Sequence, residues 1–156
     1  GWFDWTAADS DEGRALLAFP KALIGLRKDH IVFRRSRFFH GEIIRGAAVK
    51  DVTWLRPDGA EMSEADWRNP IAKTLVLLLS GEAGQTFVTD AGEPEPDATF
   101  AMILNASHVD VPVALPPAPG GGRWRVELDT GSGGRERADG QTIATARSFL
   151  LLRAVV

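Results

Sequence analysis

The chain has 156 residues, 44% of them hydrophobic and 25% charged, with five Trp, no Tyr and no Cys. That length suffices for one domain with a real core, or for one domain plus a remnant of another. A net charge of −3 offers no basic field for nucleic acid or an anionic membrane, the lack of cysteine excludes disulfides and thiolate metal sites, and no apolar run reaches the roughly 18–20 residues of a membrane span.

The chain opens on GWFDWTAADSDEG, acidic and aromatic and unlike a signal peptide; a reducing cytoplasm is expected from the lack of cysteine. Next comes SDEGRALLAFPKALIGLRKDH. Asp9 or Ser10 can cap a helix, and Asp11 and Glu12 suit its positive end. Leu16, Phe19, Leu23 and Leu26 recur at helical spacing, widened by Leu17 and Ile24. Lys28 and His30 suit the C-terminal end. Pro20 predicts a kink or a restart, because a proline inside a helix costs ~3 kcal/mol. Such a stripe must be buried against something.

After a linker around residues 30–50, strands are expected. DVTWLRPDG reads as a strand ending in an Asp-Gly turn. SEADW can open one helical turn, with Ser63 capping and Asp66 three residues on. TLVLLLSG is a continuously apolar run of strand length, which fits a strand covered on both faces. GQTFVTDAGEPEPDAT is polar and Pro-rich, the pattern of a surface loop. TFAMILNAS is a strand. In VDVPVALP, Val109, Val111, Val113 and Leu115 are expected on one face. In RWRVELDT, Trp124, Val126 and Leu128 are expected opposite Arg125, Glu127 and Asp129. GSGGRERADGQT is a loop, and ARSFLLLRAVV a buried strand. Short strands with Gly and Pro turns point to a mainly β fold, an antiparallel β-sandwich, with one helix in front.

Few residues suggest chemistry. His30, His40 and His108 are too few and too scattered for a metal site. PGGG and GSGG are turns rather than phosphate loops. Asn105-Ala106-Ser107 has the form of a glycosylation sequon, but a strand-end Asn bonding its own turn explains it as well. The basic run RKDHIVFRRSRFF is weighed as a nucleic-acid stripe against a linker whose arginines lie at a surface or pair with acids, and the net charge favours the linker. Asp51, Asp58, Glu61, Glu64 and Asp66 cluster in sequence. A glycosidase needs two carboxyls roughly 5–9.5 Å apart, but turn and cap roles already account for Asp58 and Asp66.

GWFDW, LLAFPKALIGLRKDHIVFRRSRFFHG, DVTWLRPDGAEMSEADW, LLLSG, ILNASH, RWRVELDT and ARSFLLLR, in that order, together resemble the C-terminal end of isoamylase-type bacterial glycogen debranching enzymes of the α-amylase superfamily. The resemblance implies residues 1–36 as the last loop and helix of a (β/α)8 barrel, and residues 37–156 as the C-terminal β-sandwich. It implies that the helix stripe packs on an upstream catalytic barrel, and that left uncovered it self-associates. The family's three catalytic carboxylates lie upstream, so no residue here is catalytic, and no metal or cofactor is implied. The substrate of the whole enzyme would be glycogen, cut at α-1,6 branches. Trp2 and Trp5 become candidates for glucan contact, from their place on a barrel loop. Trp54 and Trp67 either brace the junction or meet glucan. A free-standing carbohydrate-binding sandwich is the alternative; it would have no need of the helix stripe.

Overall fold

The structure, a computed structural model, describes residues 2, 4–34, 38–43, 49–81, 97–131 and 140–156. A 3-10 turn, Trp5–Asp9, leads into helix α1, Asp11–Asp29. Ser10 is the cap: its hydroxyl accepts from the Gly13 N–H at 3.0 Å. α1 runs as one helix through Pro20 and does not restart there. Proline leaves the Leu16 carbonyl without its helical partner, but α1 has no buried residue, so water can take that bond.

A second 3-10 turn, Ile31–Arg34, follows α1. The strands are β1 Val52–Leu55, β2 Thr74–Leu79, β3 Phe100–Asn105, β4 Val111–Ala114, β5 Arg123–Asp129, β6 Gln141–Ala144 and β7 Ser148–Val155; a single helical turn, α2 Glu64–Trp67, sits between β1 and β2. They form an antiparallel five-stranded sheet in the order β1-β2-β3-β7-β5 and a two-stranded sheet of β4 and β6. The fold is a mainly β, antiparallel sandwich.

The larger sheet is apolar on both sides, which is why TLVLLL and FLLL show no alternation. On one side Leu55, Val76, Ile103, Leu150 and Leu152 meet Val113, Leu115 and Ala144 of the smaller sheet and its flank. On the other, Val52, Leu79, Phe100 and Leu151 are covered by Val32, with Leu26, Ile31 and Phe33 around it. The end of α1 and the turn after it therefore form a partial third layer.

Two expected patterns differ. Val113 and Leu115 are buried, but Val109 is 51% exposed because it belongs to the turn before β4, not to the strand. In β5 the register slips between Val126 and Leu128, which face Leu152 and Leu151 in turn. This one-residue bulge reverses the side-chain parity. Trp124 and Val126 stay on the sandwich side, while Leu128 joins Phe100 and Leu151 on the other. The loops expected over residues 84–99 and 131–142 lie mostly outside the described residues, as does the middle of the basic run.

Candidate functional site

The stretch from Asp51 to Trp67 is built by its acids. Asp51 is buried and accepts from the His40 N–H at 3.1 Å and the Gly41 N–H at 3.0 Å, tying the linker to the start of β1. After β1 the chain turns at Pro57-Asp58-Gly59, where Gly59 has φ +85°, a left-handed conformation that glycine adopts without penalty. The Arg56 N–H donates to the Ala60 carbonyl at 2.8 Å, and the Ala114 N–H to the Pro57 carbonyl at 2.8 Å, so the turn is pinned on β4. Asp58 accepts from the Ala60 N–H at 3.1 Å. The guanidinium of Arg56 spans Asp58, at 2.7 Å, and Asp66, at 3.4 Å.

Ser63 and Asp66 form a complete capping box: the Asp66 N–H donates to Oγ of Ser63 at 3.2 Å and the Ser63 N–H to Asp66 Oδ2 at 2.9 Å. This orients α2 and lays Trp67 edge-on against Trp54, ring centroids 5.5 Å apart at 78°. Trp54 packs on the outer face of the large sheet, the side that carries Val52, Leu79 and Phe100, while Trp67 is 53% exposed. Crossed at that angle, the rings form a T-shaped pair rather than one flat platform.

The hydrogen bond and charge of Arg56 hold the Asp58 carboxyl below the usual aspartate range, and the Ser63 hydroxyl and amide do the same for Asp66. Glu61 pairs with Lys50, and Glu64 with Arg68. Every acid in the stretch is thus engaged by a cation or a backbone N–H, the work of turns and caps. Among the described residues no three His, Asp or Glu side chains gather as a metal site.

Trp2 is fully exposed and Trp5 mostly so. They lie at the opposite end of α1 from the sheet joint, on the segment whose turn packs against the start of that helix. The structure does not bring them to the Trp54–Trp67 pair.

Sequence reasoning missed the joint between α1 and the sheet. His30 Nδ1 hydrogen-bonds Asp97 Oδ1 at 2.7 Å, the carboxylate accepting, and Asp97 Oδ2 accepts from the Val32 N–H at 2.9 Å. The His30 ring lies edge-on to Phe100, centroids 4.7 Å apart, and Nη1 of Arg153 stands 3.5 Å from Nε2. Arg153 continues to Glu127 at 2.8 Å. Nothing local marks Asp97 as this clamp.

Among the described residues, the same side of the large sheet is only partly covered. Leu77, Met102 and Phe149 are partly buried around its core, and Leu104 is 42% exposed. On α1 the stripe predicted to need a cover is open, with Leu16 70% and Ile24 53% exposed. The His30–Asp97 joint ties the C-terminal end of α1 to the edge of that side of the sheet.

Against known proteins, residues 51–150 match the family model described as Isoamylase, C-terminal. The chain is 41% identical over 130 residues to glycogen operon protein GlgX homologs of Mycobacterium tuberculosis and Mycobacterium bovis, covering 83% of this chain and 18% of each relative. It is 28% identical over 131 residues to isoamylase 2, chloroplastic, of Arabidopsis thaliana, covering 82% of this chain and 14% of that protein. The chain thus spans less than a fifth of the length of these curated relatives.

Proposed function

The chain belongs to the isoamylase C-terminal family, and from that premise we propose that it is the non-catalytic C-terminal portion of a glycogen debranching glycoside hydrolase that cuts α-1,6 branches. In this reading residues 1–36 complete an upstream (β/α)8 barrel, and residues 37–156 are the sandwich packed on it. The observation that carries it is a set of exposed apolar side chains on α1 and on the large sheet. Leu16, Leu17 and Ile24 of α1 and Leu104 of the sheet all await a cover, and water is a poor one, since burying such a side chain is worth roughly 1.5–3 kcal/mol. The engaged carboxylates between Asp51 and Asp66 support a segment with no acid/base pair of its own. The Trp54–Trp67 pair then braces the turn and α2. An independent carbohydrate-binding sandwich leaves the helix stripe without a purpose.

The test is release of linear chains from glycogen by this chain alone and by the same chain joined to its upstream barrel. Activity is expected only from the joined protein. Activity of the short chain would overturn the reading and make Asp58 and Asp66 the first residues to replace.

A further inference from the structure

The large sheet has a groove on the side away from α1. Where the two-stranded sheet stops short, a cavity of about 480 Å³ opens between β1, β2 and the segment before β5, within the range of roughly 300–1,000 Å³ typical of small-ligand sites. Leu78 and Trp124 form its inner wall, and both pack on the sandwich core. Pro116, Pro117 and Pro119 form the facing wall. The Trp124 indole N–H donates to the Pro116 carbonyl at 2.8 Å, which fixes the indole and the proline segment relative to each other.

The rim is polar but uncharged toward a ligand. Thr53 and Thr99 contribute hydroxyls; Thr99 Oγ1 already accepts from the Gly81 N–H at 3.1 Å, which leaves its O–H to donate. Lys50, the charged residue among the described lining residues, is paired with Glu61. Among the described residues no carboxylate lines the groove, which leaves little for a cation, and Lys50 is already engaged, which leaves little for an anion. Flat apolar rings beneath a hydroxyl rim fit a neutral pyranose, whose C–H face is apolar and whose edge is a row of hydroxyls.

The geometry points to a second glucan-binding site in this groove, holding a short linear α-glucan segment against Trp124 and the prolines. The choice of an α-glucan, among neutral sugars, rests on the debranching reading above. Position adds to the case. The groove lies on the opposite side of the sheet from α1 and Trp67, so it stays open when the outer face is covered. It would anchor an outer chain of a branched polymer away from the reacting branch.

Maltoheptaose is the probe, titrated into the full 156-residue chain with the indole N–H resonances followed by NMR. A saturable shift of the Trp124 resonance is expected, with Trp67 unmoved. T53R, which thrusts a long side chain into the groove, and W124A are each expected to weaken association at least tenfold, while W67A leaves it unchanged. Far-UV circular dichroism of each variant checks its fold; the unmodified chain's resonances decide the question even where W124A unfolds. A shift at Trp67 without one at Trp124, or no saturable shift at all, overturns the proposal. Neither result touches the debranching reading, which the hydrolysis comparison tests separately. Hydrolysis failing with the barrel restored, while Trp124 still shifts, leaves a sugar groove on a protein of another activity.

Discussion

The amide of Asn105 has two protons to give and three carbonyls within reach, those of Val109 at 3.0 Å, Ala144 at 3.0 Å and Thr145 at 2.9 Å. Its oxygen accepts from the Ser107 N–H at 2.9 Å and from the Thr74 hydroxyl at 3.0 Å. One side chain thus ties β2, the turn after β3 and the exit from β6, and it is 2% exposed. That burial takes the sequon out of use for glycosylation. Asn105→Ala leaves these backbone groups unpaired, and a loss of about 3 kcal/mol is expected in urea unfolding. A change under 1 kcal/mol would mean that water replaces the amide. The short-range half of this arrangement was legible, because an Asn bonding its own turn is a pattern of neighbours. The bonds to Ala144 and Thr145 were not, since they cross about forty residues of chain.

At the scale of elements, the same division holds. The Ser63–Asp66 spacing announced the capping box around α2, and Pro-Asp-Gly announced the turn, because caps and turns are local chemistry. The β5 bulge had no mark in RWRVELDT, and it moved Leu128 to the other face. Nor did the Pro-rich stretch show that Asp97 would clamp His30. Ser63→Ala is expected to cost about 1 kcal/mol and to lift Trp67 from Trp54, read as loss of their coupled near-UV circular dichroism. Acid should do the same. Asp58 and Asp66 have lowered pKa values in the fold, so each contributes stability that is complete above the unfolded value of about 3.9 and fades as pH falls through the folded one. The near-UV signal should hold from pH 7 to about 4 and drop below it, less steeply at high salt, because both acids lie at the surface. A transition at pH 5–6 would point to another group. Asp97→Ala removes the anchor of both His30 and the Val32 N–H. Hydrogen exchange should then speed up over residues 26–33 while β3 amides stay protected; equal loosening of both would show that the clamp also holds the sheet.

For the whole molecule, the open face sets behaviour in solution. Leu16, Leu17 and Ile24 are more than half exposed, and apolar patches of this kind seldom stay in water. The chain alone is expected to self-associate with rising concentration in sedimentation velocity, and a Leu16→Glu, Ile24→Glu double variant to remain monomeric. A wild-type chain that is monomeric at high concentration would count against this prediction. The sandwich was legible as a class from short strands and turns, and the stripe as an unmet need of the helix. Strand order was not, because any pairing of these apolar runs buries similar area.

That order has a consequence for synthesis. β7 follows the other described strands in sequence but lies inside the sheet, between β3 and β5. As the chain leaves the ribosome, β1, β2 and β3 can pair as a meander while the free edge of β3, Phe100–Asn105, stands open. β5 follows without a partner to bond. Both wait for Ser148–Val155, and until it arrives the β3 edge is a template for any other nascent strand. Of the described strands, the last to be made is the one that shuts that edge.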